Sequence, residues 1–236
     1  MNIVLLMMGG SGTRFGARIP KQYILVKDRP IFSYIMYGYQ DCSDIDAIVA
    51  VSHSDWIEYV REWAGKMGIS KLSAICPGGE NRSESVRNGL LAMQRFASGE
   101  DVILIHDATH PYVDREGTRK IIDAVRKYGG ATLGQRQYDT VYQMNPDTMM
   151  LEKVVKRETI VSGASPEAFF YKDLFRIYTE ATGEQLEAMT SAGAIAIDNN
   201  IPMQVIPTRL TNLKITYQPD LELFRQLVDL YFPQLC

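Results

Sequence analysis

An α/β fold, with a mostly parallel sheet covered by helices on both faces, is predicted by three features of this sequence. Short apolar runs alternate with longer amphipathic stretches, the pattern of βα units. The first run, Ile3 to Met8, leads directly into a cluster of glycines. A length of 236 residues with 46% hydrophobic content is enough for one large domain with a buried core. The expectation is therefore one Rossmann-like domain over residues 1–236.

Each element follows from its local pattern. Ile3 to Met8, Ala47 to Ser52, Leu72 to Cys76 and Val102 to His106 are continuous apolar runs of strand length. Between them, Ile31 to Gln40, Asp55 to Met67 and Ser83 to Phe96 have helical periodicity, giving the order β-α-β-α-β-α-β. A helix at Gly117 to Tyr128 and a strand at Ala131 to Gly134 come next. The alternation then breaks. Asp139 to Gln143 and Leu151 to Lys156 flank the turn signal Asn145-Pro146-Asp147, which predicts a β-hairpin arm over about 138–160 projecting from the sheet. Lys172 to Thr182 and Leu186 to Ala196 read as helices and Met203 to Ile206 as a strand. Pro219 to Leu230 reads as a closing helix with Pro219 and Asp220 at its start.

Composition removes several classes of function. Charged residues are 22% of the chain and the net charge is −3, so no global positive field exists to gather nucleic acid. The three cysteines, Cys42, Cys76 and Cys236, are widely spaced and form no CxxC pair, and they read as buried or incidental thiols. The apolar N-terminal run has no basic region before it, and no stretch reaches the ~18 apolar residues that span a bilayer. The expectation is a cytoplasmic protein with neither nucleic acid nor membrane as partner.

The chemistry points to the loop after the first strand, Gly9-Gly10-Ser11-Gly12-Thr13-Arg14-Phe15-Gly16, followed by Pro20-Lys21. Glycines let backbone amides approach a phosphate closely. The spacing is not that of a P-loop, which needs Gly-Lys-Ser/Thr, and its third glycine falls one residue late for a dinucleotide fingerprint. Arg14 and Lys21 would place positive charge where it builds up on the oxygens of a reacting triphosphate. Asp107 follows the fourth strand, at the carboxyl end of a parallel sheet where ligands of such folds bind. His106 beside it ends a buried strand and reads as a core residue. Ser83 reads as an N-cap.

The stretch GGSGTRFGARIPKQY resembles the signature of the cytidylyltransferases that activate methylerythritol 4-phosphate and ribitol 5-phosphate. The likeness extends over almost the whole chain. It implies the nucleotide-diphospho-sugar transferase type of fold, CTP and a polyol phosphate as substrates, and Mg²⁺ as cofactor. It implies catalytic roles for Arg14, Lys21 and Lys214, the last on a closing strand at Thr211 to Thr216. The nucleotide would be bound by Gly9, Gly10, Ser11, Gly12, Thr13, Gly78, Gly79, Asn81, Ser85, Asp107 and Ala108, with backbone at Pro77 to Val86 reading cytosine. Asp107, Thr140 and Arg157 would hold the acceptor, Asp107 could also meet the metal, and the arm would reach into a neighbouring subunit of a homodimer.

Several positions depart from the family pattern. His110 stands where the family carries an arginine before Pro111, and the usual Thr-Asp pair reads Thr190-Ser191. Ser165-Pro166-Glu167 replaces Thr-Pro-Gln, and Tyr138 replaces the arginine that the methylerythritol branch carries before Asp139-Thr140. The last two features resemble the ribitol phosphate branch. Three other readings stay open: the methylerythritol enzyme, a sugar-1-phosphate or choline-phosphate nucleotidyltransferase, and a nucleotide-binding paralogue without turnover.

Overall fold

The computed structural model describes residues 1–10, 15, 19–189, 191–208 and 212–235. Seven strands form one sheet in the order β11-β7-β10-β6-β1-β4-β5. In chain order these are β1 (Asn2–Met8), β4 (Ala47–Ser52), β5 (Leu72–Pro77), β6 (Val102–Asp107), β7 (Gly130–Arg136), β10 (Val161–Phe170) and β11 (Met203–Pro207). Helices α1 (Ile31–Gln40), α2 (Ile57–Lys66), α3 (Arg82–Met93) and α4 (Arg115–Tyr128) provide the crossovers among β1, β4, β5, β6 and β7. The sheet is parallel except for β10, which runs antiparallel to both β6 and β7.

The sequence of β1 explains its central place. Val4, Leu6 and Met8 enter the apolar cluster on one face, with residues of α1, α2 and α4, while Ile3 and Leu5 enter the other, with residues of α3. Both faces are buried, as a parallel sheet requires. A third cluster joins Tyr34 of α1 to Leu213, Ile215 and Phe224, the last on the closing helix α8 (Gln218–Tyr231). Two small hairpins complete the strands: β2 (Leu25–Val26) with β3 (Arg29–Pro30), and the expected arm, β8 (Val141–Met144) with β9 (Leu151–Val155). No helix among the described residues is long and apolar enough to cross a membrane.

Three expectations are corrected, and one strand is new. The unforeseen strand β10 is broken in register between Ala164 and Glu167, around the Ser165-Pro166 bond, so its pattern does not alternate cleanly. The helical stretch Leu186 to Ala196 divides into α6 (Gly183–Ala188) and α7 (Ala192–Asp198), the second capped by the Ser191 hydroxyl accepting from the Ala194 amide at 3.1 Å. The helix before them is α5 (Tyr171–Glu180). At the start of α3 the cap is Asn81, which accepts from the Glu84 amide at 2.9 Å. Ser83 is buried and donates to the Met189 carbonyl. Residues 212–216 join no sheet: Ile215 donates one backbone bond, to the Thr109 carbonyl at 2.8 Å, and the segment is fixed mainly by burial of Leu213 and Ile215. Thr211 lies outside the described residues.

Candidate active site

The carboxyl ends of β1, β4 and β6 meet where the strand order reverses, since the chain proceeds from β1 to β4 on one side and returns to β6 on the other. A cavity of about 590 Å³ opens there, lined among others by Gly9, Gly10, Lys21, Asn81, Asp107 and Lys214. Gly79, Ser85 and Ala108 line it too. The expected residues of four separate loops thus converge. Ser11, Gly12, Thr13 and Arg14 lie outside the described residues.

Asp107, the last residue of β6, is the electrostatic centre. Its Oδ1 accepts from Arg82 Nη2 at 3.2 Å, and its Oδ2 lies 3.6 Å from Lys214 Nζ. Burial alone would raise the carboxyl pKa, but Arg82 and Lys214 outweigh it and hold the group below its ordinary range. Arg82 Nη2 also lies 3.9 Å from Glu167 Oε2 on β10, and Glu167 Oε1 accepts from the Gly193 amide at 3.2 Å. Asp107 opposes the burial that would lower the Arg82 pKa, and the guanidinium stays above its usual value. The result is a chain of alternating charge, Glu167, Arg82, Asp107, Lys214, of which the last three line the cavity. The N-terminal turn of α3 contributes Asn81, Arg82 and Ser85 to the cavity and brings the positive end of that helix to it.

The glycines do close-contact work. A Cβ on Gly9 would lie 3.3 Å from the Gly78 Cα, and one on Gly78 would lie 3.0 Å from Ser85 Oγ, so the two loops touch backbone to backbone. Gly10 has no such neighbour and faces open space. Buried Gln22 ties the loop down by donating from Nε2 to the carbonyls of Met8 and Gly10, both at 2.7 Å.

Thr140 and Arg157 do not line this cavity. Both are exposed at the base of the arm, where Arg157 Nη1 donates to the Tyr138 carbonyl at 2.6 Å. His106 is fully buried, its Nδ1 2.7 Å from the Tyr39 hydroxyl and its Nε2 2.8 Å from the His110 carbonyl, as expected of a core residue. His110 pairs through Nδ1 with Ser165 Oγ at 2.8 Å. Burial, then His106 and Lys214, push its pKa down to about 3, so the ring is neutral. Cys42 and Cys76 are buried free thiols. Arg82, Gln22, His53 and Glu167 went unassigned in the sequence. His53 could have been found by the rule that singled out Asp107, since it directly follows a parallel strand.

Comparison with known proteins agrees with this geometry. Residues 2–229 match the family described as IspD, 2-C-methyl-D-erythritol 4-phosphate cytidylyltransferase. The chain is 29% identical over 230 residues to a ribitol-5-phosphate cytidylyltransferase of Streptococcus agalactiae serotype Ia, covering 97% of this chain and 96% of that one. It is 30% identical over 227 residues to a 2-C-methyl-D-erythritol 4-phosphate cytidylyltransferase of Thermotoga neapolitana, covering 95% and 96%. The crystal structure of the Francisella tularensis 2-C-methyl-D-erythritol 4-phosphate cytidylyltransferase shares the fold, with a TM-score of 0.75 at 23% identity over 96% of this chain and 99% of that one. With the profile matched almost end to end, the chain belongs to the IspD family and is a cytidylyltransferase.

Proposed function

We propose that this enzyme transfers CMP from CTP to the phosphate of a sugar-alcohol phosphate of the ribitol 5-phosphate type, giving a CDP-polyol and pyrophosphate. The observation that carries the reading is Asp107 held between Arg82 and Lys214 on the wall of a cavity that Gly9, Gly10 and Lys21 also line. An acceptor phosphate oxygen attacks the α-phosphorus of CTP in line, the bond to pyrophosphate breaks, and the electron pair leaves with it. A phosphate monoester is largely ionised at neutral pH, so no protein base is needed; the work is positioning and charge stabilisation. Lys21 and Lys214 neutralise the growing charge, with Arg14 as a third cation. Gly9, Gly10, Ser11, Gly12 and Thr13 hold the phosphates, while Gly78, Gly79, Asn81, Ser85 and Ala108 surround base and ribose.

Mg²⁺ fits this site in one respect: Asp107 is a hard oxygen donor, and this ion is commonly held by one or two carboxylates together with substrate phosphates. Among the described residues there is no cluster of three metal-ligating side chains. Asp107 would hold the ion with the nucleotide, and the ion would neutralise phosphate charge.

The arm carries the acceptor part of the reading. Tyr142, Met149, Met150, Leu151 and Val154 are each more than half exposed, an apolar surface that a second copy of the chain would cover. Homodimerisation through it would bring Thr140 and Arg157 to the partner's cavity, where Arg157 offers a bidentate fork for phosphate. The ribitol type is supported by Tyr138 before Asp139-Thr140 and by the Streptococcus relative. A methylerythritol phosphate acceptor is the second reading, favoured by the 30% identity to the Thermotoga enzyme.

The test is pyrophosphate release from CTP and Mg²⁺ with ribitol 5-phosphate, methylerythritol 4-phosphate, glycerol 3-phosphate, glucose 1-phosphate and phosphocholine. Release with ribitol 5-phosphate is expected, and Lys214→Ala should lower kcat by about 100-fold with an unchanged far-UV spectrum. Release with methylerythritol 4-phosphate alone would install the second reading. Silence with every acceptor, despite CTP binding, would point to a paralogue without turnover.

A further inference from the structure

Glu167 does not line the cavity, yet it stands beside a residue that does, and the register of the sheet explains why. In the antiparallel pairing of β10 with β6, Glu167 lies opposite Ile105, so the two side chains leave the sheet on the same face. Asp107, two residues beyond Ile105 on β6, leaves on that face too. Ile105 and Phe169 pack there with Val86, Leu90 and Met93 of α3. Two carboxylates are thus aimed at the helix whose first residue is Arg82.

Neighbouring carboxylates repel, and the side chains of Asp107, Glu167 and Arg82 are only 25%, 23% and 31% exposed, so water screens them poorly. One nitrogen of one guanidinium answers both: Arg82 Nη2 lies 3.2 Å from Asp107 Oδ1 and 3.9 Å from Glu167 Oε2. The other oxygen of Glu167 accepts from the amide of Gly193, the second residue of α7, so Glu167 is itself held by an element that belongs neither to β6 nor to α3. Asp107 turns its other oxygen toward Lys214.

The charges of this group cancel, Glu167 and Asp107 against Arg82 and Lys214. Without Glu167 the group would carry one net positive charge, which favours a bound triphosphate. Glu167 therefore works against holding anionic substrates at rest, and its contribution lies in where it keeps Arg82. We infer that Glu167 is a positioning residue for the transfer: by sharing Arg82 with Asp107 it fixes the guanidinium, and through it the Asp107–Lys214 pair, in the geometry in which the reaction runs. The role rests on the CMP transfer proposed above.

The test is Glu167→Gln in the full chain, which keeps the shape and an oxygen for the Gly193 amide while removing the charge. With the acceptor that supports pyrophosphate release, kcat should fall roughly 5- to 20-fold. The Kd for inorganic tripolyphosphate, measured by equilibrium dialysis at low salt, should move the other way, falling about 2- to 5-fold and converging on the wild-type value near ~0.5 M NaCl. In an Arg82→Gln background the same substitution should cost no further kcat, because its effect passes through Arg82. The inference is overturned if kcat is unchanged, if tripolyphosphate binding weakens together with a lowered Tm, as a merely structural role would give, or if the two losses multiply in the double variant. Should Arg82→Gln fail to fold, the opposite movement of kcat and Kd decides alone. A wild-type chain silent with every acceptor would remove the functional reading beneath; tripolyphosphate binding would then decide for Glu167, tightening supporting the role and weakening overturning it.

Discussion

His106 shows how one buried side chain sets a pH limit. Its ring is enclosed by Tyr39 and the His110 carbonyl, and burial lowers its pKa from 6.5 to about 4. The unfolded chain therefore binds a proton near pH 6.5 that the folded chain refuses until near pH 4. Stability contributed by the neutral ring is complete above pH 6.5 and is lost as pH falls from there toward 4, by up to roughly 3 kcal/mol. Urea unfolding between pH 7.5 and 4.5 should show this decline, and His106→Gln should make it shallower; an unchanged slope would contradict the assignment. Neutral His110 adds a decline of the same sign, so the variant removes only part of it.

Where elements meet, the strongest constraint is the contact of the loop after β1 with the loop after β5 at Gly9 and Gly78. A methyl group on Gly9 would press on the Gly78 backbone at 3.3 Å, where no flexible side chain can yield. Gly9→Ala should therefore cost about 1–3 kcal/mol of stability and weaken CTP binding, readable by thermal unfolding and by equilibrium dialysis against CTP. The paired glycines were legible in the sequence, but their partner was not, because spacing along the chain does not show which two loops touch. Strand β10 was hidden for a related reason. Gly163, Pro166 and the register break blur its alternation, and its place is set by β6 and β7 on either side. The extended stretch 212–216 alternates like a strand, with Leu213 and Ile215 buried and Lys214 toward Asp107, yet only one backbone bond ties it to a neighbour.

For the molecule as a whole, the apolar arm makes a prediction about assembly. Light scattering should give a dimer, and Leu151→Asp with Met149→Asp should give a folded monomer with the far-UV spectrum intact. A wild-type monomer at working concentrations would count against the arm as the interface. The sheet, its helices and the converging loops could be read from apolar runs and glycine clusters because local pattern determines them. The ion-pair chain through Arg82 and Glu167 could not, since it joins a helix start to a strand some eighty residues on. That late strand has a kinetic consequence. Strands β5, β4, β1 and β6 are complete by Asp107 and connected by local crossovers, but β6 keeps a bare edge until β10 is made, roughly sixty residues later. At synthesis rates of about 5–20 residues per second, the nascent chain displays an unpaired Val102–Asp107 edge for several seconds. The strand whose Glu167 stands beside Arg82 is also the one that ends this exposure to aggregation.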